Sequence, residues 1–261
     1  MTHPDEILLV GTGNLASHLA TLLSGPAGFR VDVAGRDAET TEIFCNTYGG
    51  LPFRAEDAKY YQVAIICVSD QAIEQCAGIY AKHAAALIHT SGATPFEVLS
   101  KYHSQTGVFW PMQTFTAGRP INWHKLPVCI QASGSGPGVF FEKLSNSTGL
   151  LTVETTSAER LNYHLAAVFA CNFTNHLYTL ADIWCRENLL EPKLMLPLIE
   201  ETAKKVQLLD PTEAQTGPAK RADQVTIDKH MALLNDHPAL RQVYQLFSEQ
   251  IMSRYHYLWR K

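Results

Sequence analysis

Gly11, Thr12, Gly13, Asn14, Leu15 and Ala16 carry the spacing GxGxxA directly after the apolar run ILLV at 7–10. That spacing suits a diphosphate. The first glycine allows a tight turn, the second lets a ligand approach the backbone, and Ala16 is small enough for the next helix to pack on a sheet. Free N–H groups and the positive end of the helix dipole then meet the anion. The chemistry implied is dinucleotide binding, with Gly11, Thr12, Gly13, Asn14 and Leu15 as contacts. The competing reading, a glycine-rich turn without ligand, leaves the flanking strand and helix unexplained.

Which dinucleotide binds depends on the end of the second strand, VAGRD. A site for NAD wants a carboxylate there for the ribose hydroxyls, but Ala34 and Gly35 fill the positions and Arg36 follows. A guanidinium matches a 2′-phosphate, so the expected cofactor is NADP, with NAD possible if Asp32 or Asp37 turns inward. The third strand ends in CVSDQ, placing Val68 and Ser69 at the ligand-binding edge; Asp70 reads equally as the N-cap of the next helix. The fourth ends His89-Thr90-Ser91-Gly92, toward the nicotinamide. Ser91 is a candidate for polarising a substrate carbonyl and Gly92 for backbone contact with it. Alternatively these residues form a turn, with Thr94 capping the following helix.

A second set of polar residues lies far along the chain. Leu165, Asn172, His176 and Thr179 recur in sevens, fours and threes, which places them on one helical stripe. Asn172 is a candidate for orienting the acceptor group and His176 for delivering a proton; a satisfied structural histidine is the plainer reading. In QTGPAKRADQVTIDKH (215–230), Gly217-Pro218 predicts a helix start, and Asp223, Thr226 and His230 share a face. Arg221 points elsewhere, toward an anion. Gln113, Arg221 and His230 join Gly92 as candidate substrate contacts, against the alternative of a solvated stripe.

These residues need elements to hold them. Short apolar runs at 7–10, 63–68, 86–90 and 107–110, with FRVDVAG, LPVCIQA and LLTVET, alternate with helical patterns. Continuous apolar strands separated by helices predict a parallel sheet covered on both faces, a doubly wound α/β fold of Rossmann type. After Glu154 the period changes. Thr156 and Glu159 have capping-box spacing, and helical patterns follow to the end: from Pro192 through Leu209, from Pro218, and from His237-Pro238 to Trp259. The expected division is 1–155, a dinucleotide-binding domain, and 156–261, an all-α domain for substrate and dimerisation.

The net charge of −4 over 261 residues, without a basic run, argues against nucleic acid. Arg254, Arg260 and Lys261 read as cations at a helix C-terminus. The start lacks a basic n-region, and no run approaches the roughly 18 apolar residues of a membrane span. The six cysteines show no CxxC and no metal spacing, so no metal site and a cytoplasmic location are expected.

LLVGTGNLASHLA, VSDQAI, HTSGA, FWPMQTF, CNFTNHL and above all TGPAKRADQVTIDKHMALL resemble a family that joins a Rossmann-like NADP-binding domain to a helical domain of unknown function. Its wider superfamily includes 6-phosphogluconate and 3-hydroxyacid dehydrogenases, pyrroline-5-carboxylate reductase, ketopantoate reductase and deazaflavin-linked NADP oxidoreductases. The resemblance implies a substrate held between two domains, a homodimer, and hydride transfer between NADP(H) and a small carbonyl or imine compound. Two departures stand out. Val168 occupies the position one turn before Asn172 where 3-hydroxyacid dehydrogenases carry a catalytic lysine, and Trp110 stands where many relatives have histidine before proline. Both favour the alternative of a non-catalytic NADP-binding protein, a redox sensor or assembly partner.

Overall fold

The computed structural model describes residues 6–57 and 59–257. Strands β1 (Glu6–Val10), β2 (Arg30–Ala34), β3 (Leu51–Pro52), β4 (Val63–Ile66), β5 (Leu87–His89), β6 (Thr106–Pro111), β7 (Pro127–Ser133) and β8 (Leu151–Glu154) form one sheet. Its order is β3-β2-β1-β4-β5-β6-β7-β8. The chain winds outward from β1 in one direction and from β4 in the other, so the sheet reverses beside the glycine turn that follows β1.

The apolar runs make strands because both of their faces are covered. Ile7, Leu9, Val63 and Ile65 join one core with α1 (Asn14–Ser24), α2 (Ala38–Tyr48) and α5 (Ser135–Thr148). Leu8, Val10, Ala64 and Ile66 point the other way, toward α3 (Ile73–Tyr80) and α4 (Glu97–Ser100). Alternate residues of each strand therefore serve opposite layers.

The sheet is not parallel throughout. β7 runs antiparallel to β6, with Thr106 opposite Ser133 and Pro111 opposite Val128. The chain between them holds only a 3₁₀ turn at Trp123–Lys125. With no helix to carry it across a face, it re-enters at the edge it left. β8 then pairs parallel to β7. The two-residue β3, absent from the sequence expectation, is too short to show alternation.

The chain divides into two compact units, Met1–Phe173 and Thr174–Lys261. The first helix after the sheet, α6 (Ser157–Ala167), belongs to the first unit and starts at the expected capping box. Thr156 N–H donates to Glu159 Oε2 (2.8 Å) and Glu159 N–H to Thr156 Oγ1 (3.2 Å). A π-helical stretch, Val168–Phe173, follows and closes that unit.

The second unit contains α7 (Thr174–Glu187), a 3₁₀ turn at Pro192–Met195, α8 (Leu196–Leu208), α9 (Pro211–Ala214), α10 (Gln224–Leu233) and α11 (Pro238–Met252). The helix expected from Pro218 starts later. Pro218 precedes a 3₁₀ turn, Ala222 adopts a left-handed conformation (φ 53°), and Asp223 caps α10 by accepting from Thr226 N–H at 3.1 Å. The last helix continues as a π turn at Ser253–Tyr257; its expected end at Trp259, with Arg260 and Lys261, lies outside the described residues. Among the described residues no helix is long and apolar enough to cross a membrane.

Candidate functional site

A cleft of about 790 Å³ opens at the carboxyl edge of β1, β2 and β4, where an open α/β sheet binds ligands. Gly11, Thr12, Gly13, Asn14, Leu15, Arg36, Val68 and Ser69 all line it, and Ser91 lies along it.

The two glycines serve different ends. Gly11 has φ +120° and donates its N–H to Ala34 O at 2.8 Å; a Cβ there would stand 2.1 Å from Cys67 O. The protein itself requires glycine at 11. A Cβ at Gly13 would meet nothing within 4 Å, so packing does not explain that residue. Its bareness leaves the start of α1 approachable. The same helix end has no side-chain cap and no acidic residue in its first turn, whereas α2 has both, in Asp37 and Glu39. N–H groups left open at a helix start, without a carboxylate beside them, fit a diphosphate.

Both carboxylates that left NAD open are engaged elsewhere. Asp32 is buried and accepts from Lys59 Nζ and Tyr61 OH, each at 2.7 Å. Burial, followed by that bond to Asp32, pushes the Tyr61 hydroxyl well above its usual range. Asp37 caps α2, accepting from Thr40 N–H at 2.8 Å, a bond that holds its carboxyl below the ordinary value. Arg36 is exposed at the mouth of the cleft and has no ion-pair partner among the described residues. Cys67, in the wall, remains a thiol because burial pushes it up to about 12.

At the end of β4, Val68 is half-buried and Ser69 exposed. Asp70 does not cap α3: it opens a short 3₁₀ turn, and Ala72 occupies the N-cap position.

Beyond β5, Ser91 forms the expected turn. Its Oγ accepts from Ala93 N–H (3.1 Å) and Thr94 N–H (2.9 Å), a side-chain turn, which leaves the hydroxyl hydrogen free to donate. Thr94 does not cap α4, whose N-cap is Phe96. Instead Thr94 O accepts from Arg160 Nη2 at 2.9 Å. Arg160 is 1% exposed, also donates to Gln131 Oε1 at 2.8 Å, and leaves its Nε unpartnered. Burial lowers its pKa. Behind the turn, His89 is fully buried; desolvation, then the Arg160 charge, hold it down at about 3, and its Nδ1 accepts from Ser91 N–H at 3.2 Å.

Gly92 is wall rather than open contact surface. A Cβ there would lie 2.6 Å from Trp110 Cε2 and 2.7 Å from His164 Cδ2. Gln113 is exposed in the segment after β6, its Oε1 accepting from Thr114 N–H at 2.9 Å, and does not line the cleft.

The expected helical stripe is not a buried face. Leu165, Asn172, His176 and Thr179 are all exposed, and the π turn at Val168–Phe173 adds a residue to the repeat on which the stripe depended. Asn172 falls in the first compact unit and His176 in the second. Arg221 is exposed. His230 borders an apolar cavity of about 670 Å³ inside the helical unit, its Nδ1 2.8 Å from Tyr244 OH. Arg160 and His164 were missed in the sequence because nothing in ERLNYH marks which side chain turns toward a sheet edge.

Residues 126–251 match the family described as a domain of unknown function, DUF2520. No functionally curated protein matches the chain. Among solved structures, the chain is similar to a candidate NADP oxidoreductase from Bacteroides fragilis, with 35% identity over 96% of this chain and 99% of that one, at a TM-score of 0.87. A Thermotoga maritima protein shares the fold at 22% identity over 94% and 96% of the two chains, with a TM-score of 0.68. So does an Aspergillus terreus reductive aminase solved with NADPH and ethyl-5-oxohexanoate, at 12% identity over 95% and 93%, with a TM-score of 0.69. The chain therefore belongs to the family of the Bacteroides fragilis protein, with a Rossmann-type sheet and a C-terminal match to the DUF2520 domain.

Proposed function

We propose that the protein is an NADP(H)-dependent oxidoreductase acting on a small carbonyl or imine compound. The observation that carries this reading is the bare helix start at Gly13 beside an unpartnered Arg36, with Asp32 and Asp37 both engaged away from the cleft. The names of the Bacteroides and Aspergillus proteins support it. NADPH, when bound, supplies a hydride to a C=O or C=N carbon. Backbone N–H groups from Thr12 to Leu15 hold the diphosphate, Arg36 the 2′-phosphate, and Val68 and Ser69 flank the nucleotide. Ser91 donates its hydroxyl hydrogen to the substrate heteroatom. Asn172, His176, Gly92, Gln113, Arg221 and His230, read from the sequence as further site residues, do not line the cleft and carry no step in this reading.

A non-catalytic NADP sensor is the second reading. It is favoured by Val168 and by a cleft that no lysine or histidine lines. Titration calorimetry with NADPH and NADH tests the cofactor. Arg36→Ala is expected to weaken NADPH by about 10- to 100-fold, the worth of a charge-assisted contact, and to leave NADH unchanged. Equal affinities for both nucleotides in the wild type would remove the NADP assignment. Oxidation of NADPH with a panel of 2-oxo acids and cyclic imines separates enzyme from sensor.

The apolar surface of the helical unit supports a homodimer, and six free thiols suit a reducing cytoplasm.

A further inference from the structure

Reduction of a C=O or C=N bond needs two hydrogens at unlike atoms. One leaves NADPH with its electron pair and bonds to carbon. The other is a proton, taken by oxygen or nitrogen as the π pair moves onto it. Ser91 polarises, but a serine hydroxyl is a poor acid, and the cleft lining offers no imidazole or ammonium. Resting on the reading above, we infer that His164 is the catalytic proton donor.

His164 lies in the last turn of α6. Its ring packs against Trp110, with centroids 5.8 Å apart, and fills the space beside Gly92 where a Cβ would be. Gly92 adjoins Ser91 in the chain, and Ser91 lines the cofactor cleft. The imidazole is half-buried, and among the described residues neither ring nitrogen has a hydrogen-bond partner. Other imidazoles in this unit are engaged or remote: His89 is sealed inside, His18 Nε2 meets Thr116 O at 2.9 Å, and His83 packs on Phe53. The position is also held. Arg160, one turn earlier on α6, grips Thr94 O, and Ser157 Oγ accepts from Phe96 N–H at 3.1 Å, so the helix and the Ser91 turn are tied together.

In the step, the imidazolium N–H bond breaks as the O–H or N–H bond of the product forms. The neutral imidazole then takes a proton from water. An imidazole, whose ring nitrogens can both give and accept a proton, suits that cycle.

Carbethoxylation by diethyl pyrocarbonate, mapped by peptide mass spectrometry with and without saturating NADP+, tests the placement directly. His164 is expected to react at least fivefold more slowly when NADP+ is bound, with His83 unchanged. Unaltered labelling of His164 in protein that calorimetry shows saturated with NADP+ overturns the inference while leaving the cofactor reading intact. Absence of any NADP+ binding removes the cofactor reading and this one with it. His164→Asn and His164→Gln, checked for wild-type melting, are expected to lower kcat at least 100-fold on any panel compound the wild type reduces, with NADPH affinity within twofold. Unchanged kcat in a folded variant overturns the role.

Discussion

The sheet unit and the helical unit close themselves off very differently. In the first, β1, β4, β5 and β6 are almost solvent-free on both faces, and even Arg160 and His89 are enclosed. In the second, the buried apolar side chains among the described residues are Cys185, Ala219, Ile227 and Leu234, while Leu189, Leu194, Leu198 and Leu208 are between 63% and 96% exposed. Apolar burial of about 25 cal/mol per Å² is the main force opposing chain entropy. The sheet unit seals its apolar side chains within itself, whereas the helical unit leaves many of its own exposed.

The sharpest way to break this contrast is to test the proposed homodimer. With a second copy as the partner, Leu194→Glu combined with Leu198→Glu is expected to halve the mass in light scattering and lower the melting temperature by about 10 °C, given roughly 2–4 °C per kcal/mol at this size. Amide exchange should accelerate across α7, α8 and α11 while β1 and β4 stay protected. A wild type that is monomeric at all concentrations, with slow exchange in α8, would erase the distinction.

Within the sheet unit the enclosed polar groups set the next scale. Arg160→Ala leaves Thr94 O without its donor and Gln131 Oε1 with only the longer bond from Ser157 Oγ (3.3 Å), and a loss of about 3 kcal/mol in denaturant unfolding is expected. Arg160→Met should cost less, because it removes a buried cation that has no carboxylate partner and keeps the packing volume.

His89 sharpens the contrast through pH. Its folded pKa lies near 3 and its unfolded value near 6.5, so between them only the unfolded chain takes up the proton. Its contribution to stability is complete above 6.5 and declines as pH falls toward 3, by up to about 1.4 kcal/mol per pH unit. His89→Gln should flatten that part of the stability profile, measured by urea unfolding at pH 7 and pH 5. An identical slope in the variant would show that His89 is not the group responsible.

The smallest expected effect is in the helical unit. Asp223→Ala removes the cap of α10 and should cost about 1 kcal/mol, read from thermal melts.

The sequence was legible where local chemistry dictates geometry. The GxGxxA turn, the apolar strands and the Thr156–Glu159 box each follow from a few neighbouring residues. The fates of Asp32 and Asp37 were not, because they depend on Tyr61 and Lys59, reached only through strand pairing, and on the start of α2. The helical stripe through Asn172 and His176 assumed 3.6 residues per turn, and the π turn at Val168–Phe173 departs from it. Boundaries were hardest. The change of secondary structure at 155, the family match from 126 and the compactness division at 173 answer three different questions. Gln113 and Arg221, read from the sequence as substrate contacts, are exposed and lie outside the cleft lining, a placement that no local pattern reveals.

Seven residues laid backwards in β7 decide where the rest of the first unit goes. Because β8 runs parallel to β7, it heads away from the nucleotide rim, and α6 then turns back so that Arg160 meets Gln131 and His164 meets Trp110. Had β7 run with its neighbours, the same helix would have departed from the rim and descended. Its guanidinium and imidazole would then have ended at the far side of the sheet. One reversed strand thus brings a helix of the DUF2520 segment beside the turn that follows β5.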